Sequence, residues 1–316
     1  MFCINQESND PFFNLAIEEI LLKNSEDEYL LLGINNPSVI IGKHQSANKE
    51  VNTKFLFEKN IPVIRRISGG GTVFHDKGNL NFTFIRQSES GKQVDFRKNT
   101  QPVIDFLVSS GIDAKFEGKN DIKVGGFKIS GNAEHIHRNR VLHHGTLLFS
   151  SSLGILRNSI RKDKSCYATR AVDSNPSSVM NLNEKLTIFH DIYEFRKEMM
   201  HYFLKTWPYT EAYKLSGYET EEALSLAGTK YRSWECNYAY GPEYIFRNNF
   251  QLDGKLHSCS LSVKDGIIIK CTIEGSEKMA YLANKLATCR HMVNDMQMVF
   301  NEGKINITEE EIFNFF

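Results

Sequence analysis

The chain has no surplus charge of either sign: 38 Lys and Arg stand against 38 Asp and Glu in 316 residues. That balance gives no basis for bulk electrostatic binding to nucleic acid or to a membrane surface. No apolar run is long enough to cross a bilayer. The first residues, Met1 to Gln6, lack a basic region leading into a long apolar core, so no signal peptide is expected and the expected location is cytoplasmic. The 6 cysteines form no C-x-x-C pair and follow no regular spacing; they read as reduced packing residues. Repeats and low-complexity tracts are absent. So are the commoner phosphate signatures, G-x-x-x-x-G-K-[ST] and a G-x-G-x-x-G that opens a helix.

What is present instead is Arg65-Arg66-Ile67-Ser68-Gly69-Gly70-Gly71-Thr72-Val73-Phe74-His75-Asp76. Consecutive glycines let backbone amides approach a ligand, because no Cβ stands in the way and positive φ is allowed. The two arginines add fixed charge and forked donors suited to carboxylate or phosphate. Strands are expected on both sides, over 61–67 and 72–75. Glycine-rich backbone between strands, with arginines at its mouth, suits an anion cradle; a surface hairpin with incidental arginines has the same composition. In Asn79 to Ile85, Leu80, Phe82 and Phe84 alternate with Asn79, Asn81 and Thr83, the period of a half-buried strand whose polar face lies near the cradle.

A second segment runs from Asn120-Asp121-Ile122 to Lys128-Ile129-Ser130-Gly131-Asn132-Ala133. Gly125-Gly126 inside it marks a two-residue hairpin, which places Lys128 on the return strand. There it is either a point-charge phosphate binder or a solvated edge residue. Another strand is expected at His143-His144-Gly145-Thr146-Leu147-Leu148-Phe149. Adjacent strand residues face opposite sides, so the two histidines do not converge on one metal.

Elsewhere the signals are organisational. Asp10 and Pro11 open a helix whose stripe is Phe13, Ile17 and Ile20 or Leu21. Strands are expected at 29–32 and 39–41, and helices over 53–59 and before Gly111, the latter with Ile104, Leu107 and Val108 inward. The stretch 161–181 is polar and reads as a long loop. The pattern breaks near Tyr240-Gly241-Pro242-Glu243. Beyond it come a hairpin with an Asp265-Gly266 turn, a helical stripe of Met279, Leu282, Leu286 and Cys289, and a Thr308/Glu311 capping box before a short helix with Ile312, Phe313 and Phe316.

Taken together, the blocks R-R-x-S-G-G-G-x-V-x-H-D at 65–76, N-D-I at 120–122 with K-I-S-G-N-A at 128–133, and H-G-T-L-L at 144–148 resemble the lipoate–protein ligase family. The resemblance continues through Asp10 to Ala16, Val39-Ile40-Ile41-Gly42 and Lys230 to Glu235. Thr72 and Lys43 depart mildly from the family pattern. The resemblance implies an α+β fold: a biotin/lipoate ligase-like catalytic domain of mixed sheets flanked by helices over 1–242, with a small α+β accessory domain over 249–316. It implies that 161–181 closes over an adenylate.

It also implies a two-step reaction. Lipoate attacks the α-phosphate of ATP, giving lipoyl-AMP, and an acceptor lysine then takes the lipoyl group. ATP and Mg²⁺ are implied, with lipoate as substrate. The implied acceptors are lipoyl domains of 2-oxoacid dehydrogenase E2 subunits and the glycine cleavage H protein. Lys128 is the implied catalytic group. Arg66, Gly69, Gly70, Gly71, Thr72, Val73, Phe74, His75, Asn79, Asn120, Asp121, Lys128, Ser130 and Ala133 are implied to bind ATP and lipoyl-AMP. Lys128, Gly70, His144 and Gly145 are implied to contact lipoate. No metal ligand is assigned: Asp121 is either an Mg²⁺ ligand or a salt-bridge partner of Lys128. The alternative is an octanoyl or lipoyl transferase of the same fold, working without ATP and carrying the acyl group on Cys166, which has Lys162, Lys164 and Arg170 nearby in sequence.

Overall fold

Asp10 caps the first helix as expected, its carboxylate accepting from the Phe12 amide, with Pro11 in the first turn. This helix, α1 (Pro11–Asn24), is buried along most of its length. The structure is a computed structural model and describes residues 1–88, 94–252, 254–304 and 307–316, without the Lys278 side chain.

The chain folds as two units, neither continuous in sequence. The first comprises Met1–Lys43, Pro62–Arg157 and Asn175–Arg232; the second comprises His44–Ile61, Asn158–Ser174 and Ser233–Phe316. The expected division into 1–242 and 249–316 is a single cut, whereas segments 44–61 and 158–174 here pack with the C-terminal residues.

In the first unit the strands are β1 (Phe2–Asn5), β2 (Tyr29–Ile34), β3 (Ser38–Ile41), β4 (Val63–Arg65), β5 (Val73–His75), β6 (Asn79–Gln87), β7 (Ala114–Glu117), β8 (Asp121–Val124), β9 (Phe127–His137) and β10 (Arg140–Leu148). The second unit contributes β11 (Tyr167–Thr169), and the first adds β12 (Glu211–Ala212). A mixed sheet has the order β12-β1-β2-β6-β10-β9-β8-β7, and a small sheet has the order β4-β3-β5. The helices, in chain order, are α2 (Ala47–Glu50), α3 (Thr53–Lys59), α4 (Phe96–Ser109), α5 (Leu153–Ser159), α6 (Ile192–Thr206) and α7 (Gly217–Leu226).

Strand alternation sorts the large sheet's residues between two cores. Leu30, Leu32, Phe82 and Phe84 pack with Leu107 of α4 and Phe195 and Phe203 of α6. Leu31, Ile85 and Leu142, on the other face, pack with Ile17, Leu21 and Tyr231. The polar face of β6 is therefore covered too: Asn79 and Thr83 are buried. Thr83 is reconciled with burial by a 2.6 Å hydrogen bond from its hydroxyl to Glu18 on α1. In α4, Ile104 and Leu107 point inward as expected, but Val108 is 54% exposed, because it falls outside the arc that meets the sheet.

The second unit has the sheet β11-β13-β14-β15, with β13 (Tyr244–Leu252), β14 (Lys255–Lys264) and β15 (Ile267–Glu274). Asp265 and Gly266 have φ of 49° and 71°, which makes the turn of the β14–β15 hairpin. Helices α8 (Glu277–Leu286), α9 (Val293–Glu302) and α10 (Glu309–Ile312) complete it, the last with the expected capping box. Its core joins Phe246, Leu261, Leu282, Phe300 and Phe315. Cys289 lies beyond the end of α8 and packs against that core without extending the helix. The polar stretch 161–181 is not a plain loop: β11 pairs antiparallel with β13, and Ser178 and Met180 bond to the backbone of Lys128.

Candidate active site

The glycine loop 68–71 joins β4 to β5, and Arg66 holds it from beneath. Arg66 Nη2 donates to the carbonyls of Gly69 at 2.5 Å and Gly71 at 2.7 Å, Nε donates to Ser68 Oγ at 2.9 Å, and Nη1 donates to the Ile40 carbonyl at 3.2 Å. In a trans peptide the carbonyl and the following N–H point in opposite directions. Turning the Gly69 and Gly71 carbonyls toward the guanidinium therefore turns the amides of Gly70 and Thr72 to the other side. Burial lowers the Arg66 pKa to about 10, against the pull of Glu18, so the group stays cationic at neutral pH. Arg65 is also turned inward, to the carbonyls of Gly42 and Lys43 at 3.0 and 3.3 Å.

Two glycines are dictated by close approach. A Cβ at Gly42 would lie 2.2 Å from the Gly70 carbonyl oxygen, and Gly70 itself has φ of 86°. Gly70 faces Ala133 on β9, which brings the loop to the strand that carries the lysine.

Lys128 owes its direction to a β-bulge. Opposite the step from Ile122 to Lys123 the β8–β9 register shifts, so that Ser130 pairs with Ile122 and Lys128 with Lys123. The extra residue on β9 puts Lys128 and Gly131 on one face, although regular alternation would separate them. The Lys128 ammonium packs over Gly131, where a Cβ would come within 3.1 Å of Nζ, and pairs with Asp121 at 2.8 Å. Its backbone is clamped by the Ser178 carbonyl at 2.9 Å and the Met180 amide at 3.2 Å. Asn120 and Asn132 bind each other's backbone beside it, Asn132 Nδ2 reaching the Asn120 carbonyl at 2.9 Å.

The paired histidines face opposite sides, as alternation requires. His143 bonds to Glu134 at 2.8 Å and stacks on Phe82, on the α4 side. His144 Nδ1 meets Glu18 at 2.8 Å and Nε2 meets Ser68 Oγ at 2.6 Å, beside the glycine loop. Gly145 is a packing necessity, since a Cβ there would stand 2.2 Å from Asn132 Oδ1 and 2.4 Å from Phe82.

Other residues of the glycine block serve the scaffold in this structure. His75 is neutral: burial, with the Arg66 charge adding to it, lowers its pKa to about 3, and Nδ1 accepts from Asn35 at 2.9 Å. Both Asp76 oxygens accept backbone amides, from Gly78 and Ser152. Phe74 is a core residue, and Val73 pairs with Ile40. Asn79 donates to Asn81 at 2.8 Å.

Residues 10–204 match the family described as the lipoyl protein ligase A/B catalytic domain. The chain belongs to that family. Lipoate–protein ligase 1 of Staphylococcus aureus is 36% identical over 307 residues, 95% of this chain and 93% of its own length. Protein Ta0514 of T. acidophilum, solved with bound lipoic acid, superposes with a TM-score of 0.64 at 25% identity, covering 75% of this chain and 98% of its own. A lipoate-protein ligase A bound with ATP gives 0.63 at 25% identity, covering 75% and 97%.

Within this member of the lipoyl protein ligase family, the motifs point to the loop and the lysine but not to Glu18 or Thr83. The available signal is a charged pair, Glu18-Glu19, in the middle of a mostly apolar helix. Both carboxylates prove to be buried and bonded. Cys166 packs against the core of the second unit. The neighbouring Lys164 spends its charge on Glu50 at 2.7 Å.

Proposed function

We propose that this chain is an ATP-dependent lipoate–protein ligase that makes lipoyl-AMP and passes the lipoyl group to a lysine of an acceptor lipoyl domain. The observation that carries the reading is Lys128. Its ammonium lies beside Gly131 on the strand facing Gly70, and it is held in direction by Asp121 at 2.8 Å. The first step brings two anions together, a carboxylate and an α-phosphate. A cation fixed between them offsets their repulsion as negative charge builds in the transition state. No nucleophile of the protein's own is needed. The loop contributes amides whose direction Arg66 sets. Gly70, His144 and Gly145 lie next to this lysine strand and are the lipoate contacts in this reading.

Among the described residues no three His, Cys, Asp or Glu side chains group as a metal site. A nucleotide-borne Mg²⁺ does not require one, because it is held chiefly by phosphate oxygens and water with one or two carboxylates. Asp121 fits that part, and the ion supplies charge neutralisation on the phosphates. A lipoyl tail is recognised mostly by apolar burial, roughly 0.8 kcal/mol per methylene, so discrimination against octanoate is weak.

The test is to incubate the protein with lipoate, ATP-Mg²⁺ and an apo lipoyl domain and follow the acceptor's mass, which should rise by one lipoyl group. An H protein acceptor is run in parallel. A second arm offers octanoyl-acyl carrier protein without ATP. Cys166→Ser should leave the ATP-dependent reaction intact; an octanoyl thioester on Cys166 in the second arm would instead establish the transferase.

A further inference from the structure

A second support of the glycine loop begins on α1. Glu18 Oε1 accepts from Thr83 Oγ1 at 2.6 Å, and Oε2 lies 2.8 Å from His144 Nδ1. His144 Nε2 lies 2.6 Å from Ser68 Oγ, which also accepts from Arg66 Nε at 2.9 Å. An ionised carboxylate can only accept, so His144 Nδ1 carries the proton. Ser68 Oγ already accepts from Arg66, and the proton of this buried hydroxyl finds its acceptor at His144 Nε2. Every donor in the row points the same way, from Arg66 to Glu18. A buried cation and a buried carboxylate are thus joined through two neutral groups that each bond polarises.

A serine, a histidine and a carboxylate in this order suggest an acyl-transfer relay. The burial of Ser68 argues otherwise: its exposure is 0%, and its oxygen already accepts from Arg66. The same three groups work as a brace.

We propose that Glu18 is a positioning residue for the glycine loop, acting through His144 and Ser68 to fix the Arg66 guanidinium and with it the carbonyls of Gly69 and Gly71. Losing the Glu18 charge, or cutting the row at Ser68, removes the shorter of the two bonds at Arg66 Nε and leaves that edge only its 3.2 Å bond to the Gly69 carbonyl. The loop amides then lose their common direction without any ligand contact being removed.

Three measurements test this, and only the third rests on the ligase reading. In the wild-type protein, ¹⁵N NMR of His144 should show the proton on Nδ1 and none on Nε2; a proton on Nε2, in a neutral or a charged ring, reverses the Ser68–His144 bond and overturns the proposal. Amide hydrogen exchange over 68–72 should speed up in both Glu18→Gln and Ser68→Ala, while the β6 and β10 core stays protected; unchanged loop exchange would overturn it. ATP binding, measured without lipoate, should weaken about tenfold in each variant, the scale of one charge-assisted hydrogen bond. It should weaken no further in the double variant, because both changes cut one row. A double variant showing the product of the single losses would mean two independent roles and would also overturn it. If wild-type protein binds no ATP, the ligase reading fails, and the first two measurements still decide the brace.

Discussion

Lys128 and Asp121 pair at 2.8 Å across a register shift in the β8–β9 ladder, and that shift lets the lysine share a face with Gly131. Partial exposure of both side chains, 23% and 18%, leaves the ammonium within reach of a ligand. A lysine so placed can be removed at little cost to the core.

Lys128→Ala should therefore fold normally and lose lipoyl-AMP formation by on the order of 10²–10³ or more, the scale for a single transition-state donor. Asp121→Asn keeps the cation but loosens its aim, and should cost less. Lipoate-dependent ATP–pyrophosphate exchange reads both. Exchange at a near-normal rate in the alanine variant would remove Lys128 from the chemistry.

Arg66→Lys tests whether this side chain holds the phosphate or the loop. From sequence, a loss for ATP larger than for lipoate is expected. The observed bonds to Ser68, Gly69, Gly71 and Ile40 shift the expectation. A lysine cannot reproduce the fork, so both ligands should weaken together, and urea unfolding should show a loss of about 2–4 kcal/mol. Selective weakening of ATP at unchanged stability would restore the phosphate role.

Gly42→Ala and Gly69→Ala should differ in stability. A Cβ at Gly42 meets the Gly70 carbonyl at 2.2 Å, whereas one at Gly69 meets nothing within 4 Å. The first should cost about 1–3 kcal/mol by overpacking, and the second should stay within about 0.5 kcal/mol of wild type. Thermal unfolding of the two variants makes the comparison.

Glu19 should make the first unit acid-sensitive. Burial by itself would raise its pKa, but hydrogen bonds from Lys23, Lys230 and Tyr231 outweigh that and hold it at about 2. A depressed carboxylate contributes stability above its unfolded value of about 4.3, and the contribution is lost as pH falls toward the folded value. The span corresponds to about 3 kcal/mol, lost between roughly pH 4.5 and pH 2. Urea midpoints across that range should fall less steeply in Glu19→Gln than in wild type.

Features whose causes lie within a few residues are legible in the chain before it folds. Positive φ at Gly125 and Gly126, and at Asp265 and Gly266, makes the hairpins. Asp10 with Pro11 and Thr308 with Glu311 start helices, and the period of two in β6 buries Leu80, Phe82 and Phe84. The motif blocks identified the glycine loop and Lys128. Other features depend on partners far along the chain. The bulge that aims Lys128 exists only once β8 sets its register against β9. The carboxylate that reaches His144 is 126 residues away, so no local pattern marks Glu18 as its partner. Arg65 and Arg66 look like ligand-facing donors in sequence, but Arg65 turns to the carbonyls of Gly42 and Lys43, and Arg66 to those of Gly69 and Gly71 in the loop itself. Segments 44–61 and 158–174 join the C-terminal unit because their apolar residues, Phe57 and Tyr167 among them, find their core there. Burial is a property of the assembled surface, and composition along the chain does not carry it.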